Sequence, residues 1–252
     1  MSKPFLMVAP NGAHKTKANH PALPVTLAET IATAVACHTA GADGLHLHIR
    51  DAAGQHSLDA GRYREALSEL ARVVPTMRVQ ITTESAAVFR PDEQLKCLQE
   101  LRPNWASVAI REIAKASELA DHVYGSCFDN NTDVQHILYD AADVALLQEW
   151  QAKGIVRPTQ SSVIYVLGRY TNGQTSDPEA LQSFLTAHQD RKDWMLCAFG
   201  PQEHSCLIKA AKHGGTLRVG FENSLVNASG TPHRDNAASV SALNSALQEL
   251  LP

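Results

Sequence analysis

The amino-acid sequence predicts a single (β/α)8 TIM barrel over residues 1–252. Three observations carry this: eight short aliphatic runs, amphipathic segments between them, and a spacing of roughly 25–40 residues that leaves room for one helix per strand. A doubly wound open sheet is the other arrangement such alternation allows, but no G-x-G-x-x-G follows the first run.

In chain order the expected strands are FLMVA (5–9), GLHLHI (44–49), RVQIT (78–82), ASVAI (106–110), VQHILY (134–139), VIYVLG (163–168), WMLCAF (194–199) and LRVGF (217–221). The helix after the first strand opens at Thr26, carries Glu29 three residues on as a capping box, and stops at Gly41. Ser176 and Pro178 repeat that start signal in SDPEALQSFLTAHQD, and NAASVSALNSALQELL, apolar at helical intervals, closes the set. In such a barrel the active site lies in the loops at the carboxyl ends of the strands.

Composition narrows the function. Hydrophobic residues make up 44% and charged ones 19%, with a net charge of −4. Interspersed charge without a basic block argues against nucleic-acid binding, and no apolar run is long enough for a membrane span. The apolar stretch in MSKPFLMVAPNG is too short for a signal peptide, and Cys37, Cys97, Cys127, Cys197 and Cys206 show no paired spacing. A cytoplasmic protein with reduced thiols is expected.

Chemistry enters at GLHLHIRD. Side chains two apart on a strand share a face, about 6–7 Å from one another, so His46 and His48 face together while Leu45, Leu47 and Ile49 pack under the helices. Two imidazoles converging near the carboxyl end of a barrel suit one metal ion; the competing reading is a pair of hydrogen-bonded core histidines. His14, His20, His38, His56, His122, His188, His204, His213 and His233 fall in loops or on helix faces, where surface placement is expected for most.

In LRVGFEN, alternation sets Arg218, Gly220 and Glu222 on one face. Strand eight pairs with strand one, whose other neighbour is strand two, so Glu222 can approach the histidines and complete a site with an open position. An Arg218–Glu222 ion pair filling the barrel mouth is the alternative, although Gly220 between them reads as space for something to approach. Thr82, Thr83 and Glu84 end strand three, Asn11 and Gly12 form a turn after strand one, and Arg169 ends strand six. No serine triad order, Walker loop or CxxC pair is present.

Taken together, APNGAHKTKANHPALPVT, GADGLHLHIRDAAGQHSLD, QHILYD, VLGRY, CAFG and GGTLRVGFENSL resemble the β-keto acid cleavage enzymes nearly end to end. The resemblance implies a TIM barrel holding zinc or another divalent metal on His46, His48 and Glu222, and a homo-oligomer, commonly a tetramer. It implies condensation of a β-keto acid with acetyl-CoA, then carbon–carbon cleavage to acetoacetate and a new acyl-CoA. Arg218 matches the family arginine that meets the substrate anion, and a strand-three hydroxyl of the family site falls on Thr82 or Thr83. Asn11 and Arg169, from their places at the strand ends, are further candidate substrate contacts.

One position departs: the best-known members carry an aspartate after the metal glutamate, implicated as the base, where this chain has Asn223, whose amide takes no proton near neutral pH. Then either another group such as Glu84 is the base, or a water is, or the enzyme runs a variant reaction, and Asn223 keeps at most a positioning role. Lys15 and Lys17 are candidates for CoA phosphates. The alternative activity is a metal-dependent hydrolase or retro-aldolase that uses no CoA, to which His136 could add a ligand.

Overall fold

The computed structural model describes residues 3–250; residues 1, 2, 251 and 252, the ends of the expected domain, lie outside them. Eight parallel strands close into a barrel: β1 Leu6–Val8, β2 Gly44–Leu47, β3 Arg78–Thr82, β4 Trp105–Ala109, β5 Asp133–Leu138, β6 Ser162–Leu167, β7 Trp194–Ala198 and β8 Thr216–Val219. β1 pairs with β8 through Leu6 and Leu217 on one side and with β2 through Met7 and Gly44 on the other. Eight principal helices surround them: α1 Leu27–Thr39, α2 Ala60–Val73, α3 Pro91–Leu101, α4 Ala120–Asp129, α5 Ala141–Ala152, α6 Leu181–Ala187, α7 Glu203–Lys212 and α8 Asn236–Leu250. Among the described residues no helix is long and apolar enough to cross a membrane.

Period-two alternation sorts the strand residues into two apolar layers. Leu45, Leu47, Ile81, Val108, Val134 and Leu217 pack outward against the helices, whereas Met7, Trp105, Ile137, Ile164, Val166, Met195, Cys197 and Phe199 fill the interior. Threaded through the interior is a short polar chain: Gln80 Nε2 donates to Gln135 Oε1 at 3.0 Å, and Gln80 Oε1 lies 2.8 Å from His46 Nδ1.

The helix signals hold with one shift. Thr26 Oγ1 accepts from Glu29 N–H at 3.2 Å and Glu29 Oε2 accepts from Thr26 N–H at 3.0 Å, closing the capping box. At the segment before α6, the cap is Asp177 rather than Ser176: Asp177 Oδ1 accepts from Glu179 N–H at 2.9 Å, and the Ser176 hydroxyl accepts from Cys206 Sγ at 3.4 Å instead.

Four strands are shorter than their apolar runs, β1, β2, β7 and β8, and the ends of β2 and β8 shape the site. β2 ends at Leu47, and beyond His48 the chain turns into a two-stranded antiparallel ribbon, Ile49–Arg50 against His56–Ser57. Arg50 on that ribbon donates to the carbonyls of Gly12 and Ala13 and, at 3.2 Å, to that of Lys15, pinning the loop after β1. β8 ends at Val219 because Gly220 adopts φ +136° and the chain bends into a turn. A Cβ at Gly220 would lie 2.5 Å from the carbonyl oxygen of Ala9, so this glycine clears space for the backbone of the β1 end and for no ligand.

Candidate metal centre and active site

The site sits at the carboxyl ends of the strands. His46 comes from β2 itself, His48 from the break just after it, and Glu222 from the turn after β8 rather than from strand alternation. Gly12 makes room for that turn: it holds φ +65°, and a Cβ there would fall 2.7 Å from Glu222 Cγ. Lys15 fastens the turn, its Nζ donating to the carbonyls of Phe221 at 2.9 Å and Glu222 at 2.6 Å. Lys17 pairs with Glu29 at 2.8 Å and donates to Pro21 O at 3.1 Å.

His46, His48 and Glu222 bring one ligand atom each to within 4.8 Å of one another. Both imidazoles are 1% exposed. Glu222 Oε2 lies 3.7 Å from His46 Nε2 and 3.3 Å from His48 Nε2. Gln80 Oε1 accepts a hydrogen bond from His46 Nδ1–H, which leaves Nε2 with its lone pair free and fixes the ring, as the outer partner of a metal-bound histidine does. Both nitrogens of His48 and Oε2 of Glu222 are buried without a hydrogen-bond partner. Burial, then Arg218, keeps His46 neutral by pushing it well below its ordinary value. Burial also works against ionisation of Glu222, but Arg218 and the two histidines outweigh it and hold the carboxyl well below the usual range. Two imidazoles and a carboxylate converging in this way, with the His48 nitrogens and Glu222 Oε2 unpartnered, fit a divalent cation.

The Arg218–Glu222 ion pair is also present, at 3.1 Å, and coexists with the cluster because it uses Oε1. Arg218 is 3% exposed; its Nη2 also reaches Cys197 Sγ, while Nε and Nη1 have no partner. Glu84 stands across the cavity, with Oε1 3.2 Å from Arg169 Nη2 and Oε2 3.8 Å from His48 Nε2. Thr82 lines the same inner cavity, together with Tyr139, Val166 and Phe199. An outer cavity of about 220 Å³ opens above it, lined by Asn11, Gly12, His14, Lys15, Gln174 and, shared between the two, Glu84, Arg169 and Glu222.

The remaining candidates divide. Asn11 donates through Nδ2 to Pro24 O at 3.1 Å and leaves Oδ1 unpartnered at the outer cavity. Thr83 turns away: its hydroxyl donates to Ser107 O at 3.0 Å, and it lines neither cavity. Asn223 lies behind the site, its Nδ2 donating to Glu203 Oε1 and to Arg218 O, each at 3.0 Å. Glu203 is the buried group that sequence reasoning missed; it also accepts from Gly220 N–H at 3.0 Å, and burial raises its pKa to about 8. A helix-start glutamate carries no signal of burial. Gln80 was detectable, being polar at an inward position of an apolar run, as the histidines are.

Two histidines depart from surface placement. His56 is buried beside His48, with ring centroids 5.2 Å apart, and its Nε2 lies 2.8 Å from the carbonyl of Glu84, which it helps to orient. His188 is buried against Tyr165 through a 2.9 Å contact to the phenol oxygen. His136 points to the helix layer, its ring 5.2 Å from that of Tyr124 and its Nε2 2.9 Å from Gln160 O, so it is no part of the metal cluster.

With this geometry in place, comparison with known proteins gives a consistent picture. Residues 3–251 match the family model described as BKACE, beta-keto acid cleavage enzyme. A 3-keto-5-aminohexanoate cleavage enzyme from Acetoanaerobium sticklandii is 22% identical over 247 residues, covering 94% of this chain and 88% of the relative. A 3,5-dioxohexanoate:acetyl-CoA acetone transferase from Paraburkholderia graminis is 26% identical over 286 residues, covering 98% and 91%. Among solved structures, the binary complex of ObcA with oxaloacetate superposes with a TM-score of 0.63 at 14% identity, covering 91% of this chain. This chain spans 64% of that longer one. Type I 3-dehydroquinate dehydratase from Clostridium difficile gives 0.64 at 13% identity, covering 99% and 93%. At such identities these structures speak for the barrel fold alone.

Proposed function

Because the chain belongs to the beta-keto acid cleavage enzyme family, we propose that it exchanges acyl groups between a β-keto acid and acetyl-CoA, releasing acetoacetate and a new acyl-CoA. In the net reaction the C2–C3 bond of the acid breaks and C2 joins the acetyl carbon. The thioester of acetyl-CoA opens, and the released acyl carbon, C3 with its tail, takes the sulfur.

The observation that carries this reading is Arg218. A buried guanidinium with two unused N–H donors, beside a His-His-Glu cluster, is built to receive a carboxylate at a fixed distance from a Lewis acid. His46, His48 and Glu222 would hold zinc or another divalent ion, whose chemistry is to polarise the keto oxygen and stabilise enolate charge. Glu84 is the base: its carboxylate faces the cavity between Arg169 and His48, so it can take the C2 proton and return it to C2 of acetoacetate. Thr82 offers a hydroxyl on the same wall. Asn223 serves by position, holding the Arg218 carbonyl and Glu203, not by proton transfer. The cavities that Asn11, Arg169 and Glu222 line give both substrates a common mouth.

The test is direct. Zinc-loaded protein given acetyl-CoA and a panel of 3-oxo acids is expected to form acetoacetate and a new thioester in equal amounts. Glu84→Gln should lower kcat by about 10²–10⁴-fold, the ordinary worth of general base catalysis. Consumption of a 3-oxo acid without any need for acetyl-CoA would overturn the proposal in favour of a hydrolase or retro-aldolase.

A further inference from the structure

We infer that the β-keto acid bears a short, uncharged and largely apolar tail. This rests on the reaction proposed above. With the carboxylate on Arg218 and the keto oxygen beside the histidines, the tail falls to the apolar lining of the inner cavity, Ile137, Tyr139, Val166 and Phe199, whose free space is only about 10 Å³. Ile137, Val166 and Phe199 are at most 5% exposed and belong to the apolar cluster inside the barrel, with Ile164 and Met195 filling the space beneath. That filling leaves no depth for a long chain.

Charge on this cavity is already balanced. Its four charged side chains close into two pairs, Glu84–Arg169 at 3.2 Å and Arg218–Glu222 at 3.1 Å. Arg169 is held further by lying over the Phe199 ring, 5.1 Å from its centroid. A tail ammonium would lose its water against Ile137 and Val166 and meet only carboxylates already paired with guanidinium groups. A tail carboxylate could reach Arg169 only beside Glu84, whose like charge would oppose it. Burying a charge without a partner is strongly unfavourable, whereas an alkyl tail gains by leaving water. A tail hydroxyl is tolerated, since Tyr139 and Thr82 place uncharged polar groups on the same wall.

The experiment compares kcat/KM for 3-oxohexanoate, 5-amino-3-oxohexanoate and 3-oxoadipate, with acetyl-CoA and zinc held constant. The neutral acid is expected to exceed both charged ones by about 100-fold or more, the discrimination that an unpaired buried group produces. Equal or faster turnover of a charged acid overturns the inference while leaving the acyl exchange intact. Failure of all three to give acetoacetate sinks the exchange itself, and the tail assignment with it. In Ile137→Ala, the ratio of kcat/KM for 3-oxooctanoate over 3-oxohexanoate should rise about tenfold; an equal fall for both acids would deny Ile137 its place against the tail.

Discussion

Asn223 follows Glu222 directly, and its surroundings explain why an amide is at home there. Its Nδ2 hydrogens go to Glu203 and to the Arg218 carbonyl; an aspartate would set a second acidic group against Glu203. Glu203 is the more revealing member of the pair. Burial raises its pKa to about 8 from an ordinary 4.5, so the fold favours the protonated acid. Its stabilising share is therefore fully present below about pH 4.5 and is lost as pH climbs through about 8, at roughly 1 kcal/mol per pH unit. Glu203→Gln keeps the acceptor for Gly220 N–H and Asn223 and has nothing to ionise. Thermal midpoints of both proteins between pH 5 and 9 should diverge steadily, the variant gaining at the alkaline end; parallel curves would show that Glu203 is charged throughout. None of this was legible in the residues, because burial of a helix-start glutamate depends on a turn from another strand.

At the scale of elements, strand spacing and inward histidines were readable because both follow from a period of two. The ends of the strands were not. His48 lies past the last barrel pairing of β2, and Glu222 lies in a turn after β8, so the pattern placed the right side chains together through the wrong backbone. What aligns them is loop packing: Gly12 leaves space for Glu222, Arg50 gathers the loop after β1, and Lys15 ties that loop to the turn. Gly12→Ala should therefore do two things. A left-handed alanine costs about 1–2 kcal/mol of stability, visible in urea denaturation. The added methyl must also move Glu222, so zinc affinity by competition with a chelator should fall; unchanged affinity would mean that the turn does not need Gly12. The β8 glycine reads in the sequence as space for something to approach, and what approaches Gly220 is the Ala9 carbonyl.

Over the whole molecule, alternation and helix caps were enough to give the closed barrel and to bring β8 and β2 to either side of β1. Closure itself has no signature in any one segment; it follows from eight units of similar length. Zinc bound by the three ligands should stabilise the folded chain by about 3 kcal/mol at a hundredfold excess over its dissociation constant. Differential scanning calorimetry with and without zinc reads this directly, and His48→Gln should remove the gain while leaving the metal-free midpoint nearly unchanged.

The placement of the cluster carries one more consequence. Its three residues belong to the second and the last units of the chain and straddle the three-residue β1, so a cation bound there would act as a rivet across the seam where the two ends of the barrel meet. Amide hydrogens of Leu6 to Val8 should then exchange with solvent markedly more slowly once zinc is added, while those of β4 and β5, on the distant side, keep their pace.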